Sequence, residues 1–468
     1  MKYVSTRGQA PVLGFGDVLL AGLATDGGLY LPETWPTLPP LEELRGRSYA
    51  EIAVEVMWPF VEGEIERDAF ERIVVDSYAT FDTDEVCPVV GLGRTASGAE
   101  LDLLELFRGP TLAFKDVALQ LVGRLFDHVL TERDGRVCVL GATSGDTGSA
   151  AIEACRDRDR VDIFILFPDG RVSDVQRRQM TTVDAPNVHA VAVRGGNFDD
   201  CQDLVKAAFA DVDFRDEVGL SAVNSINWAR VMAQIVYYVT SHLHVAPDGG
   251  PVSFVVPTGN FGNILAGWAA KQMGLPVDRL VVASNRNDIL TRFFTTGTMD
   301  LHEVVPTSSP SMDIQVSSNL ERLLFEVLGR DGAAIADLMS TFRSTGTASV
   351  EVTVLEQLRA EFDCGRVDDE AAAEVIRHVH HRAGMLIDPH TAVAVGVAEA
   401  LEGDPSVPVV ALATAHPAKF PDAVEAATGV HPPLPEHVAD LFERPERVEH
   451  VDADLAAVQA LVRAELTD

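Results

Sequence analysis

The run Glu105 to Asp116 (ELFRGPTLAFKD) ends on the side chain best suited to covalent chemistry, Lys115. Only five of the 37 basic residues are lysines: Lys2, Lys115, Lys206, Lys271 and Lys419. An arginine cannot form a Schiff base and keeps its proton in proteins. A desolvated lysine does both jobs, imine former and general base. Considered alone, Lys115 would be a surface residue at a helix start, as most lysines are exposed. Its neighbours argue otherwise.

Four further runs could bind or orient a ligand. Gly259, Asn260, Phe261, Gly262 and Asn263 follow an apolar strand and precede a helix. Small residues there let backbone N–H groups line a concavity at a positive helix end, which suits a phosphate. By itself the run is equally an ordinary strand-to-helix turn. Thr143, Ser144, Gly145, Asp146 and Thr147 offer hydroxyls and amides at another helix start, which suits a carboxylate. The spacing there is not that of a dinucleotide fingerprint. Asn224, Ser225 and Arg230 form a second anion site, with N-capping by Asn224 or Ser225 as the structural alternative. Thr414 opens a loop after the apolar run Val409–Ala413, and that loop also holds His416 and Lys419. A lone histidine such as His416 is more often structural.

These runs need elements to hold them. Val137–Leu140, Val161–Phe167, Val252–Val256, Leu280–Ala283 and Val409–Ala413 are short apolar runs alternating with glycine loops and helical stretches. That alternation predicts parallel sheet covered by helices on both faces. Ligands in such folds bind beyond the carboxyl ends of strands, where all the loops named above fall. Residues 1–85 read as a separate, mostly helical unit. Ile52, Val56 and Phe60 mark one helix face, and Phe70, Ile73 and Val74 another. Residues 86–430 form the core. Residues 431–468 are a helical tail after a proline-rich linker, its apolar face marked by Leu455, Val458, Leu461 and Val462.

Composition sets the outer limits. At 468 residues, 47% hydrophobic and 23% charged, the chain is an ordinary globular protein of two or three domains. Five scattered cysteines exclude a disulfide scaffold or zinc ribbon and fit a reducing cytoplasm, and no metal site is expected. A net charge of −34 argues against nucleic acid and anionic membrane as partners. No apolar run approaches membrane-span length. Any anionic ligand must be held by a local cationic site working against the overall field.

An imine lysine, a phosphate cradle, a carboxylate grip and a hydroxyl on one sheet edge are what a pyridoxal phosphate enzyme acting on an amino acid requires. The ordered runs 4–8 (VSTRG), 26–32 (DGGLYLP), 109–116 (GPTLAFKD), 142–148 (ATSGDTG), 224–230, 257–263, 287–290 (NDIL), 317–322 (SSNLER) and 413–419 (ATAHPAK) resemble the threonine synthase family, in its longer form with an extra N-terminal domain. The resemblance covers nearly the whole chain. It implies the tryptophan-synthase-β-like fold, fold type II among pyridoxal phosphate enzymes: two α/β domains with mainly parallel sheets, plus the N-terminal helical domain.

The same resemblance implies conversion of O-phospho-L-homoserine and water to L-threonine and phosphate, with pyridoxal 5'-phosphate joined to Lys115 and Phe114 beside it. The Gly259–Asn263 loop would hold the cofactor phosphate, and Thr414 the pyridine nitrogen. Residues Thr143 to Thr147 would grip the substrate carboxylate, and Asn224, Ser225 and Arg230 its phosphate. Relatives with other activities usually have Asn in place of Asp146. An Asp there is expected to be protonated or turned away from the cofactor's phenolic oxygen. A cytoplasmic monomer or homodimer is expected. The competing readings are a threonine or serine dehydratase of the same fold and a catalytically silent ligand-binding relative.

Overall fold

The computed structural model describes residues 1–221 and 225–466. Two sheets form its frame. The larger has six strands in the order Phe362–Arg366, Val277–Ser284, Val252–Pro257, Val409–Ala413, Glu100–Glu105, Val89–Arg94. Its pairings are parallel except the last, which is antiparallel. The smaller has five parallel strands, Glu449–Asp452, Val188–Arg194, Val161–Pro168, Val137–Ala142 and Leu220–Ser221.

Central strands bury both faces, as sheets covered on both sides do. Phe254 and Val256 enter one apolar cluster while Val255, between them, enters another. In the smaller sheet Ile163 and Ile165 face one cluster, and Phe164 and Leu166 the opposite one. The expected α/β class with mainly parallel sheets is therefore the observed one.

The segment after residue 430 holds more than the expected helix. Helix Leu455–Glu465 is present and buries Val458 and Val462. Ahead of it, Glu449–Asp452 adds an edge strand in parallel to Val188–Arg194. Only Val451 of its four residues is buried, so its polar sequence gave no strand signal; it is held by backbone pairing.

In the N-terminal unit the expected helices are Tyr49–Val61 and Arg67–Tyr78, with Ile52, Val56, Phe60, Phe70 and Val74 buried. Strands Tyr3–Ser5 and Tyr30–Pro32 pair antiparallel beside them. Asp26 ties the turn before the second strand by accepting from Gly28 N, Gln9 N, Ala10 N and the Ser5 hydroxyl. Apolar residues of this unit share one continuous cluster with the core. Among the described residues no helix is long and apolar enough to cross a membrane.

Candidate active site

The loops singled out in the sequence converge on one cavity of about 220 Å³ between the carboxyl ends of the two sheets. Its lining includes Phe114 and Lys115, Ser144, Asp146 and Thr147, Ser225 and Arg230, the whole Gly259–Asn263 loop, and Thr414. Asn224 lies outside the described residues. Thr143 and Gly145 are not in the lining. The Thr143 hydroxyl instead accepts from Gly145 N (3.0 Å) and Gly148 N (2.8 Å) and so staples the loop that presents its neighbours.

Lys115 opens helix Lys115–Glu132, and its Nζ lies 3.3 Å from Asp146 Oδ2, 3.4 Å from Ser311 Oγ and 4.9 Å from the Phe114 ring centre. Burial lowers its pKa. Asp146 opposes the fall, and Lys419 and Arg230 add to it. A lowered pKa is what base chemistry needs.

Asp146 lines the cavity, and its pKa is lowered, not raised. Burial opposes its charge, but Lys419, Lys115 and His390, with a hydrogen bond from Gln176, hold its carboxyl well below the usual range. The expectation of a protonated side chain is corrected by a neighbouring cation: Lys419 Nζ lies 3.0 Å from Asp146 Oδ1.

Arg230 sits in the first turn of helix Trp228–Val245 and is 4% exposed. Its Nε and Nη1 are buried without a partner among the described residues, and burial lowers its pKa only to about 10, so it faces the cavity as a cation. The cap of this helix is Asn227, not Ser225. Asn227 accepts from Ala229 N (3.1 Å) and donates its amide to Leu19 O (2.8 Å), which joins the helix start to the N-terminal unit.

The glycine loop is held in an open shape. Phe261 has φ 62° and precedes helix Gly262–Gln272, whose first turn has no side-chain cap. A Cβ on Gly259 would lie 2.6 Å from Ser311 O, so only glycine fits there. Asn263 accepts from the Tyr237 and Tyr238 hydroxyls, and among the described residues its Nδ2 is buried without a partner.

Sequence reasoning missed several groups. Ser311 lines the cavity, and its N–H donates to His390 Nε2 (3.2 Å). The ring proton of His390 therefore lies on Nδ1, 2.6 Å from Asp388 Oδ2. Asp388 also caps the helix beginning at Pro389, and that Asp-Pro signal was readable as a helix start though not as part of a site. His416 proves structural: burial lowers its pKa to about 4, and its Nδ1 accepts from Ala418 N.

A bracing layer lies behind the Gly259–Asn263 loop and the segment before Arg230. Asn319 donates to Asn260 O (2.9 Å) and Ser225 O (3.1 Å), and Arg322 donates to Asn319 Oδ1, Ile226 O and Tyr30 O. The adjacent Glu321 accepts from Thr6 Oγ1 (2.6 Å) and pairs with Arg7 (2.9 Å), all buried. Tyr3, Trp35 and Phe60 pack around Trp228, two residues before Arg230. The N-terminal unit thus holds the Gly259–Asn263 loop and the segment before Arg230 from behind. Among the described residues no group of three or more His, Cys, Asp or Glu could hold a metal.

Comparison with known proteins covers the whole chain. Residues 2–78 match the family described as threonine synthase N terminus, 88–341 pyridoxal-phosphate dependent enzyme, and 391–462 threonine synthase, C-terminal. The chain is 55% identical to a threonine synthase of Pseudomonas aeruginosa over 465 residues, 99% of this chain and 98% of the relative. A pyridoxal-phosphate-bound threonine synthase crystal structure from Brucella melitensis superposes with a TM-score of 0.96 at 53% identity, covering 99% of each chain. Yeast threonine synthase gives 0.94 at 39% identity, covering 100% of this chain and 99% of that one.

Proposed function

This chain belongs to the threonine synthase family, and on that premise we propose how its residues divide the conversion of O-phospho-L-homoserine and water to L-threonine and phosphate. The fit to the cofactor is tested by the donors present. The uncapped start of helix Gly262–Gln272 and the glycine at 259 leave room and N–H groups for one phosphate. Nε and Nη1 of Arg230 suit a second. Lys115, Phe114 and Thr414 line the space between, so the residues fit pyridoxal 5'-phosphate with a phosphorylated substrate beside it.

When bound, pyridoxal phosphate supplies an electron sink for negative charge developing at the substrate α-carbon. Lys115 takes the Cα proton on Nζ. A proton then leaves Cβ as phosphate leaves Cγ, Cγ is protonated, and water adds at Cβ. Lys115 returns a proton to Cα before product leaves. The Gly259–Asn263 loop carries the cofactor phosphate and Thr414 Oγ1 meets the pyridine nitrogen. Ser144 and Thr147, beside Asp146 at a helix start, take the substrate carboxylate. Arg230 and Ser225 take the leaving phosphate, and Arg230 stabilises the charge that gathers on it. Asn224 is proposed with them from sequence alone. The cavity must shed water, because solvent would quench a carbanion.

The observation that carries this reading is Arg230: a buried cation with two donors that no described residue accepts, in the cavity that holds a buried lysine of lowered pKa. The test is turnover of phosphohomoserine with phosphate and threonine measured together. Equal yields of both are expected, with none from Lys115→Ala. An oxoacid with ammonia would instead indicate the dehydratase reading.

We also propose a cytoplasmic setting, supported by five free cysteines, four of them buried, and a monomer or homodimer, to be read by sedimentation. The boundaries 1–85, 86–430 and 431–468 are proposed as divisions of the sequence, since the last segment completes the smaller sheet.

A further inference from the structure

Two of the chain's five lysines meet on one buried carboxylate. Lys115 approaches Asp146 Oδ2 at 3.3 Å, and Lys419 approaches Oδ1 at 3.0 Å from the opposite side. Lys419 is 0% exposed, ends the short helical turn Pro417–Lys419 and also donates to Thr111 O at 2.7 Å. It is not in the cavity lining, so whatever it does at the site passes through Asp146.

We propose that Lys419 is a positioning residue that neutralises Asp146, so that Lys115 can give up its proton without leaving a bare carboxylate beside it. The electrostatics are simple. With Lys419 present, loss of a proton from Lys115 leaves the neutral pair Asp146–Lys419. Without Lys419, the same loss leaves an isolated buried anion, which is costly, so Lys115 would cling to its proton. Other charged groups around the cluster do not replace Lys419. Arg230 faces Lys115 as a second cation, and His390 faces Asp146 but has its ring proton directed at Asp388. Asp116 and His416 face Lys419 from behind. Asp116 accepts from Thr111 N and Oγ1, and His416 has its pKa lowered to about 4.

The inference rests on Lys115 being the exchanging amine. It is tested first without turnover. The full-length protein, freed of cofactor, is treated with a small acylating reagent across a pH series, and modification of Lys115 is read by peptide mass spectrometry. Lys419→Met should move the midpoint of Lys115 modification up by about one pH unit or more, the usual effect of an uncompensated opposite charge. Lys419→Arg, which keeps the charge, should leave it near the wild-type position. The double variant Lys419→Met with Asp146→Asn removes the stranded anion and should bring the midpoint back down. It also covers the case in which the single variant folds poorly. In the cofactor-loaded enzyme the acid limb of the kcat/KM profile should follow the same order. An unshifted midpoint in folded Lys419→Met, or an equal shift in the double variant, overturns the proposal. If Lys115→Ala retains turnover, it is the assignment of Lys115 that fails, separately from this inference.

Discussion

Arg230 permits a prediction in which activity and stability move in opposite directions. Replacing it with Met keeps the volume and removes the charge. In the protein without substrate, its Nε and Nη1 are buried and unpaired among the described residues, so the cation is a cost to the fold. Exchange of buried charge for a packed apolar side chain is often stabilising, by about 1–4 kcal/mol. With substrate present, two charge-assisted hydrogen bonds are lost at about 1.5–3 kcal/mol each. Their sum, about 3–6 kcal/mol, corresponds to a roughly 10²–10⁴-fold fall in kcat/KM. The assay pairs phosphate release with thermal melting, with and without inorganic phosphate. The expected result is a variant that melts no lower than wild type, gains no stability from phosphate, keeps its cofactor and turns over poorly. Loss of cofactor in parallel with activity, or a melting point several degrees lower, would refute the assignment of Arg230 to the substrate phosphate.

Gly259→Ala should lower the melting temperature and weaken cofactor retention during dialysis, because its Cβ would meet Ser311 O at 2.6 Å; undiminished retention would count against the cradle. Glu321→Gln should destabilise the protein by about 3–5 kcal/mol, as breaking a buried pair does. It should also loosen cofactor binding, measured by denaturant unfolding and cofactor titration, since Glu321 links Arg7 to the helix that holds Asn260 O. His416 gives a pH prediction. Its folded pKa of about 4 lies below the ordinary histidine value of 6.5, so between these values only the unfolded chain takes the proton and stability falls on acidification. His416→Asn should flatten the decline in melting temperature from pH 6.5 to pH 4 by removing up to about 1.4 kcal/mol per pH unit.

Most of the cavity was legible because its parts are local signals. Strand, glycine loop and helix follow one another in sequence, and the parallel topology brings all such loops to one edge. Lys115, Gly259–Asn263, Thr414 and Arg230 were recoverable on those grounds. What was not legible depends on pairing between distant segments. Lys419 reads as one more residue in a turn until Asp146, 273 positions earlier in the chain, is found against it. Asp388 and His390 look like a helix cap, and they are one; only packing against Ser311 brings them to the site. Thr143 was read as a ligand because a hydroxyl at a helix start serves a ligand or the loop equally well, and here it serves the loop.

The bracing of the anion loops bears on how the protein is made. Thr6 and Arg7 meet Glu321 across sequence separations of 315 and 314 residues, and Tyr30 meets Arg322 across 292. A ribosome therefore extrudes the N-terminal strands and Trp228 long before the helix that locks them exists. Until then Tyr3, Phe15 and Leu19, all fully buried at the end, belong to an incomplete cluster on the nascent chain. Contacts of such long range form late and leave apolar surface open to aggregation in the interval. Yield in the cell should accordingly respond to chaperone supply and translation speed more than to the strength of any contact inside the catalytic cavity.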